Sequence, residues 1–421
     1  MTPTRRVASS NGVASPNGVT SPSVLRRMNA TEVLRHAWSA DALTASDLIA
    51  LTGLTRSTVI GVCDELIDRG WLRVLADARS TGDYRTGRPA RRYALDVRAG
   101  HVVGVDAGQH HMTAVVADLR GHVVGRVARR IDPAGSSGDR RLAVSRLVDD
   151  VLLESGVDPV DVLAIALGVP APANAEGRSP NEVGADFWTH MNPDFVGLFA
   201  ARGWMVVVEN DANLAAVAEA AASAPAASAG DARALSFVTL LAGERFGAGF
   251  VLDGSLVRGS RGAAGEMRLL DLVQGVESAD GIGAVLRESV RLARSLRTIP
   301  AGSPLNGLPD DELEAPAVLA AADAGDATAL RLVERAAERL GRVCAVLSGM
   351  LDVDRIVVAG ALAPSIGLLL ERTTPWLSHF THRDAPEVVA STLGDQVVTL
   401  GAVERAVAHV REHAFDVTVG G

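Results

Sequence analysis

The stretch HVVGVDAGQHHMTAVVADLRGHVVGRV, residues 101–127, decides the fold. Its apolar runs His101–Asp106, Met112–Asp118 and His122–Val127 are separated by turn-forming residues and predict a three-strand meander. A similar design returns at Leu235–Val257: a strand over Ser236–Leu241, a glycine-bearing loop, a strand over Gly247–Leu252, the turn Asp253-Gly254 and a further strand. Asp118 and Asp253 lie 135 positions apart (253 less 118), too far for a solenoid repeat and suited to a duplicated α/β domain. Helical periodicity over Arg140–Glu154, Asn213–Ala222, Ala327–Leu351 and Ala402–His413 alternates with strand-like runs Val162–Leu167, Met205–Val208 and Arg355–Val358.

Upstream of the meander the pattern changes to short helices. Leu25–Trp38 keeps an approximate helical period, and a second helix is expected to begin near Ser46 as N-cap and to end before Gly53. Thr55 then caps a third helix, in which Val59, Val62, Cys63, Leu66 and Ile67 form one apolar stripe. Two helices joined by a glycine turn, the second opening on small polar residues, make a helix-turn-helix whose recognition helix enters the major groove by its N-terminus. Thr55, Arg56, Ser57 and Thr58 would meet phosphates and base edges, and Gly61 would allow close approach. Trp71–Leu75 and Arg92–Leu95 read as strands flanking a wing at Ala78–Pro89, with Arg79, Arg85, Arg88, Arg91 and Arg92 as backbone or minor-groove contacts. The plainer alternative is a three-helix dimerisation module with a solvated arginine face.

Charge is distributed in keeping with DNA binding. The chain of 421 residues carries −9 overall, but residues 1–100 hold 14 arginines against 9 acids, +5, which leaves −14 for the rest. A basic segment on an acidic body is expected where one part touches phosphates and the other does not. Length suggests two or three folded units, and no apolar run is long enough to span a bilayer, so a cytoplasmic protein is expected. Cys63 and Cys344 fall in helical segments and read as reduced core thiols. Residues 1–22 read as a disordered tail, 23–98 as the winged helix-turn-helix, and 99–421 as the two-lobed domain.

Several motifs then carry a family resemblance. Val208-Glu-Asn-Asp-Ala-Asn213, Gly247-Ala-Gly-Phe-Val-Leu-Asp-Gly254 with Arg258-Gly259, Gly262-Ala-Ala-Gly-Glu266 and the linker Gly87-Arg88-Pro89 resemble, in order, the ROK family of repressors and sugar kinases. The resemblance covers Leu25 to the C-terminus. It implies an actin- and hexokinase-like, ribonuclease H-like domain of two α/β lobes with a ligand cleft between them.

The resemblance also shows what has changed. The family's first phosphate loop places Gly-Gly-Thr after the strand aspartate, whereas Asp106 is followed here by Ala107-Gly108-Gln109-His110. The second, Gly-Thr-Gly, reads Gly243-Glu244-Arg245, so that Glu244 would repel a nucleotide; the third reads Ala359-Gly360-Ala361. Three losses argue for a domain that no longer transfers phosphate, with no catalytic residue and no cofactor. On the sugar side the resemblance assigns ligand contacts to Asn210 and Asp211, the latter matching the kinase base, and to Glu266 and Glu277. The family's zinc-ligating histidine and cysteine cluster are missing, since Gly265-Glu266-Met267-Arg268-Leu269 and Gly275–Ala279 stand in their places, so no metal is expected. Arg268 either recruits a charged sugar or forms a salt bridge with Glu266, Asp271 or Glu277. His110 and His111 read as turn or interdomain hydrogen-bonding residues, and Glu209 as a structural strand-end acid.

The expected protein is a DNA-binding repressor of carbohydrate-related genes, a homodimer or homotetramer on a double-stranded operator, controlled by a sugar or sugar derivative. The alternative is an ATP-dependent hexose kinase carrying a DNA-binding domain.

Overall fold

The computed structural model describes residues 22–75, 91–180, 187–228, 235–310, 312–381, 384–417 and 419. The expected tail lies outside these residues except for Pro22, which opens the first helix, and the expected wing Ala78–Pro89 also lies outside them.

The N-terminal unit comprises α1 (Pro22–Ser39), β1 (Leu43–Thr44), α2 (Ala45–Thr52), α3 (Arg56–Asp68), β2 (Leu72–Leu75) and β3 (Arg92–Leu95), its strands ordered β1-β3-β2. α2 is capped by Thr44 and not by Ser46. The Thr44 hydroxyl accepts from the Asp47 amide while the Asp47 carboxylate accepts from the Thr44 amide, a reciprocal box that outcompetes a cap two residues later. Gly53 ends α2 at φ 68°, the left-handed conformation that closes a short inter-helix turn. Thr55 caps α3, and Val59, Val62, Cys63 and Leu66 form its buried stripe.

The first lobe is built from β4 (His101–Ala107), β5 (His111–Asp118), β6 (Val123–Arg130), α4 (Ser137–Ser155), β7 (Val162–Val169), α5 (Phe187–Met191), α6 (Phe195–Ala200) and β8 (Met205–Asn210). Its sheet runs β6-β5-β4-β7-β8. α7 (Asp211–Ser228) leads to the second lobe: β9 (Phe237–Leu241), β10 (Gly247–Leu252), β11 (Ser255–Val257), α8 (Ile282–Ser295), α9 (Ala315–Asp323), α10 (Ala327–Leu351), β12 (Arg355–Ala359), α11 (Gly367–Phe380) and β13 (Glu387–Ala390). That sheet runs β11-β10-β9-β12-β13. In each, an antiparallel three-strand meander is extended by two parallel strands, so the duplication expected from the repeated meander is present. The interior strand β7 is buried along its whole length, as a continuously apolar run requires.

The chain then returns to the first lobe as α12 (Val397–Glu412), which lies on β4, β7 and α7. Its approach to α7 depends on Gly401, where any side chain would collide with the Leu214 carbonyl. Gly401→Ala is therefore expected to destabilise the chain by about 1–3 kcal/mol, read as a lower urea midpoint with an unchanged slope. An unchanged midpoint would mean that α12 can back away from α7.

One apolar cluster crosses the boundary between the N-terminal unit and the first lobe. It joins Val33, Leu34, Trp38, Leu66 and Trp71 to Val102, Val115, Leu163, Val403 and Val410. The Trp38 indole N–H donates to the Leu119 carbonyl at 2.6 Å within this core. Among the described residues no helix is long and apolar enough to cross a membrane.

Candidate functional site

At the N-terminus of α3 the capping hydroxyl of Thr55 accepts from the Thr58 amide at 3.3 Å and also bonds the hydroxyls of Ser57 and Thr58. That network fixes the first turn and leaves Arg56 and Ser57 exposed. Gly61, one turn on, is exposed too, and a methyl group added there would meet nothing within 4 Å. A glycine inside a helix costs about 1 kcal/mol relative to alanine, and among the described residues no contact requires this one. Arg91 holds Asp64 of α3 at 2.8 Å and lies over the Tyr93 ring, tying the entry to β3 to α3. Arg85 and Arg88 lie outside the described residues.

The second candidate site is the cleft between the lobes. Asp106 is the penultimate residue of β4, β8 delivers Asp211 to the start of α7, and the loop after β11 brings Glu266 from the other lobe. Burial raises Asp211 to about 8, with further upward contributions from the charges of Asp106 and Glu266; burial raises Asp106 to about 7 against the opposing pull of Arg140. Paired acids pushed upward in a cleft mark a functional-site candidate. A protonated carboxyl can both donate to and accept from a sugar hydroxyl.

Asn210 plays a different part. Its side-chain oxygen accepts from the amides of Ala212 and Asn213, and its amide group donates to the Ala171 carbonyl, so it starts α7 while only 7% exposed. Glu277 is exposed at a left-handed φ of 61°, and its charge acts on Arg339 of α10. The structure thus groups Asp106, Asp211 and Glu266, uses Asn210 as their support, and engages Glu277 with α10. Arg268 is exposed.

The loops that the resemblance aligns with phosphate loops are occupied by the chain's own groups. Glu244 is held by both terminal nitrogens of Arg287 at 2.7 and 2.6 Å, which keeps its carboxyl below the ordinary range. It is therefore a neutralised carboxylate and not the bare repelling charge that the sequence suggests. First-turn amides of α8, which at a helix start form a natural anion seat, donate to loop carbonyls instead: Gly283 to Ala242 and Ala284 to Gly243. Across a cleft of about 470 Å³, Gln109 and His110 face Glu244, Arg245 and Asp280. His110 sits in the β4–β5 turn with its carbonyl accepting from the Ile131 amide.

Three basic residues that hold these sites together escape sequence reading. Arg140 of α4, only 3% exposed, donates to the carbonyls of Ala107, Gly108 and Met191 behind the first loop. Arg258, from the second lobe, donates to buried Glu209 at 2.6 Å, while Glu209 also accepts from Asn213. Glu209 is thus the structural acid expected, but it acts between lobes. Arg287 closes the second loop, as described. An arginine in a periodic helix looks solvated until the tertiary fold covers it, so only the Arg258-Gly259 motif gave any signal.

The cleft and the N-terminal unit are connected through α12. Asp395, just before its start, adds to the electrostatic field at Asp106. Beyond its end, Phe415 lies beneath Arg27 and Arg69 at 5.8 and 5.2 Å, Asp416 pairs with Arg27 at 2.8 Å, and Val419 covers Gly70.

The sequence profile described as the ROK family matches residues 102–272 and 276–408. A xylose repressor of Caldicellulosiruptor bescii is 22% identical over 90% of this chain and 96% of its own length. Among solved structures, a ROK family transcriptional regulator homologous to the Escherichia coli MLC protein superposes with a TM-score of 0.68 at 19% identity, covering 91% of this chain and 96% of that one. A ROK family glucokinase from Streptomyces griseus, in complex with glucose and AMPPNP, gives 0.59 at 24% identity over 73% of this chain and 99% of its own.

Proposed function

Because this chain belongs to the ROK family, we propose that it is a sugar-responsive DNA-binding repressor whose sensor domain has given up phosphoryl transfer. The observation that carries this reading is the pre-capped start of α3, with Arg56 and Ser57 exposed and Gly61 bare, on a unit whose core is continuous with the ligand-cleft lobe. The near full-length similarity to a xylose repressor supports the same reading.

The packing supports one mechanism. A sugar or sugar derivative between Asp211 and Glu266 favours one separation of the lobes, and α12 passes that preference to the seat of Arg27 and Arg69. In a homodimer or homotetramer the spacing of two recognition helices then changes against half-sites one helical turn apart. The arginines at 85, 88 and 91 would add backbone contacts, and the protein would act in the cytoplasm. Hexose kinase activity is the second reading, favoured by Asp211 in the position of a base. The Glu244–Arg287 pair and the engaged amides of α8 weigh against it.

The test is binding of the full chain to duplex DNA from upstream of its own gene, followed by fluorescence anisotropy over a salt series. Arg56→Ala is expected to weaken binding about 10- to 100-fold, the ~1–3 kcal/mol of a base-edge or helix-start contact. Wild-type protein with no affinity above that for unrelated DNA at low salt would overturn the proposal.

A further inference from the structure

We propose that His409, Glu412 and His413 form a binding site for one divalent transition metal of the zinc or nickel type on the last turn of α12. One ligand atom from each lies within 4.8 Å of the others. The i, i+4 histidines share a helix face, with ring centroids 4.4 Å apart, and Glu412 lies between them in sequence.

The hydrogen bonds favour metal binding further. His413 directs Nδ1 at the His409 carbonyl, 3.0 Å away; donation there fixes the tautomer with the Nε2 lone pair free, the orienting contact that metal-bound histidines ordinarily have. His409 Nδ1 is buried, has no hydrogen-bond partner among the described residues, and stands 3.8 Å from a Glu412 oxygen. A buried ring nitrogen without a partner is costly, and a cation shared with Glu412 would supply one. Metal–nitrogen bonds of about 2.0–2.1 Å require ligand atoms roughly 3.3 Å apart, a closure that side-chain rotation on one turn provides.

The other charged groups at this turn are Arg405 and Arg411. Arg405 approaches Glu412 at 3.6 Å and would have to release it; Arg411 is exposed. Two imidazoles and a carboxylate suit zinc or nickel better than calcium or magnesium, which take oxygen ligands. This site is distinct from the position where family members carry their histidine–cysteine zinc cluster. Its place matters because His413 directly precedes Ala414, Phe415 and Asp416, the segment that holds Arg27 and Arg69. A metal there would pin that segment to α12.

Calorimetric titration of the chelator-stripped full chain with zinc chloride, and absorption spectra with cobalt(II), test the site without reference to DNA. One equivalent is expected to bind, to raise the melting temperature and to give visible d–d bands of four-coordinate cobalt. His413→Ala and Glu412→Gln are each expected to weaken binding at least tenfold and to abolish the thermal shift, with metal-free melting close to wild type. Absence of stoichiometric binding, or equal binding by wild type and a His413→Ala/Glu412→Gln double variant, would overturn the proposal.

Discussion

Asp211→Asn is expected to melt higher than the wild type at pH 8.5 and, in the same tube, to lose the thermal shift that a sugar ligand gives. Burial is the main reason Asp211 holds its proton up to about 8 instead of 3.8. A carboxyl whose affinity for the proton is raised by folding favours the folded chain most fully below the unfolded pKa. That contribution is lost as pH rises, beginning near 4 and ending near 8. At ~1.4 kcal/mol per decade the bound on this loss is about 6 kcal/mol, of which coupling to Asp106 and Glu266 takes a share. Asparagine keeps the acceptor for the Ala212 amide at 2.8 Å and has no proton to lose. A gain of about 2 kcal/mol or more is therefore expected at pH 8.5, shrinking steadily toward pH 4. A melting difference that is flat from pH 5 to 9 would contradict the assignment. ATP-dependent phosphorylation of a hexose by wild type, abolished in this variant, would establish the kinase reading instead. Stability gained with function lost is the pattern of a residue kept for its ligand.

The duplicated fold is legible because its signals are local. Turn residues between β-branched runs at 101–127 and 235–257 announce both meanders, and the stripe Val59, Val62, Cys63, Leu66 announces α3. The capping box at Thr44 was equally local, in Thr44-Ala45-Ser46-Asp47, and Ser46 drew attention from it. Legibility fails where groups meet only in three dimensions. Asp106 and Glu266 come from different lobes, and nothing around Phe415 in the sequence foretells Arg27 and Arg69 above its ring. Resemblance pointed to Asp211 and Glu266 together, but it could not show that Asn210 is occupied in starting α7. Nor could it show that Glu244 is neutralised by Arg287, since the two lie 43 positions apart.

Arg140→Met is expected to destabilise the chain by about 3–5 kcal/mol. Its guanidinium is nearly buried and donates to three carbonyls, those of Ala107, Gly108 and Met191, which methionine would leave without that donor. Burial lowers Arg140 to about 10 while Asp106 pulls it upward, so it remains charged at neutral pH and opposes the rise of Asp106. Removing it should hold the Asp106 proton to still higher pH and loosen the turn carrying Gln109 and His110. The first consequence is a melting temperature lower by about 5–10 °C. The second is hydrogen exchange at the amides of residues 108–110 that rises more than exchange in β9, which lies in the other lobe. Uniform acceleration across both lobes would reduce Arg140 to a packing residue. Melting within about 1 °C of wild type would show that the carbonyls have other donors. Protection lost only at the turn would show that a helix arginine, placed behind a loop that relatives use for phosphate, now holds that loop shut from within.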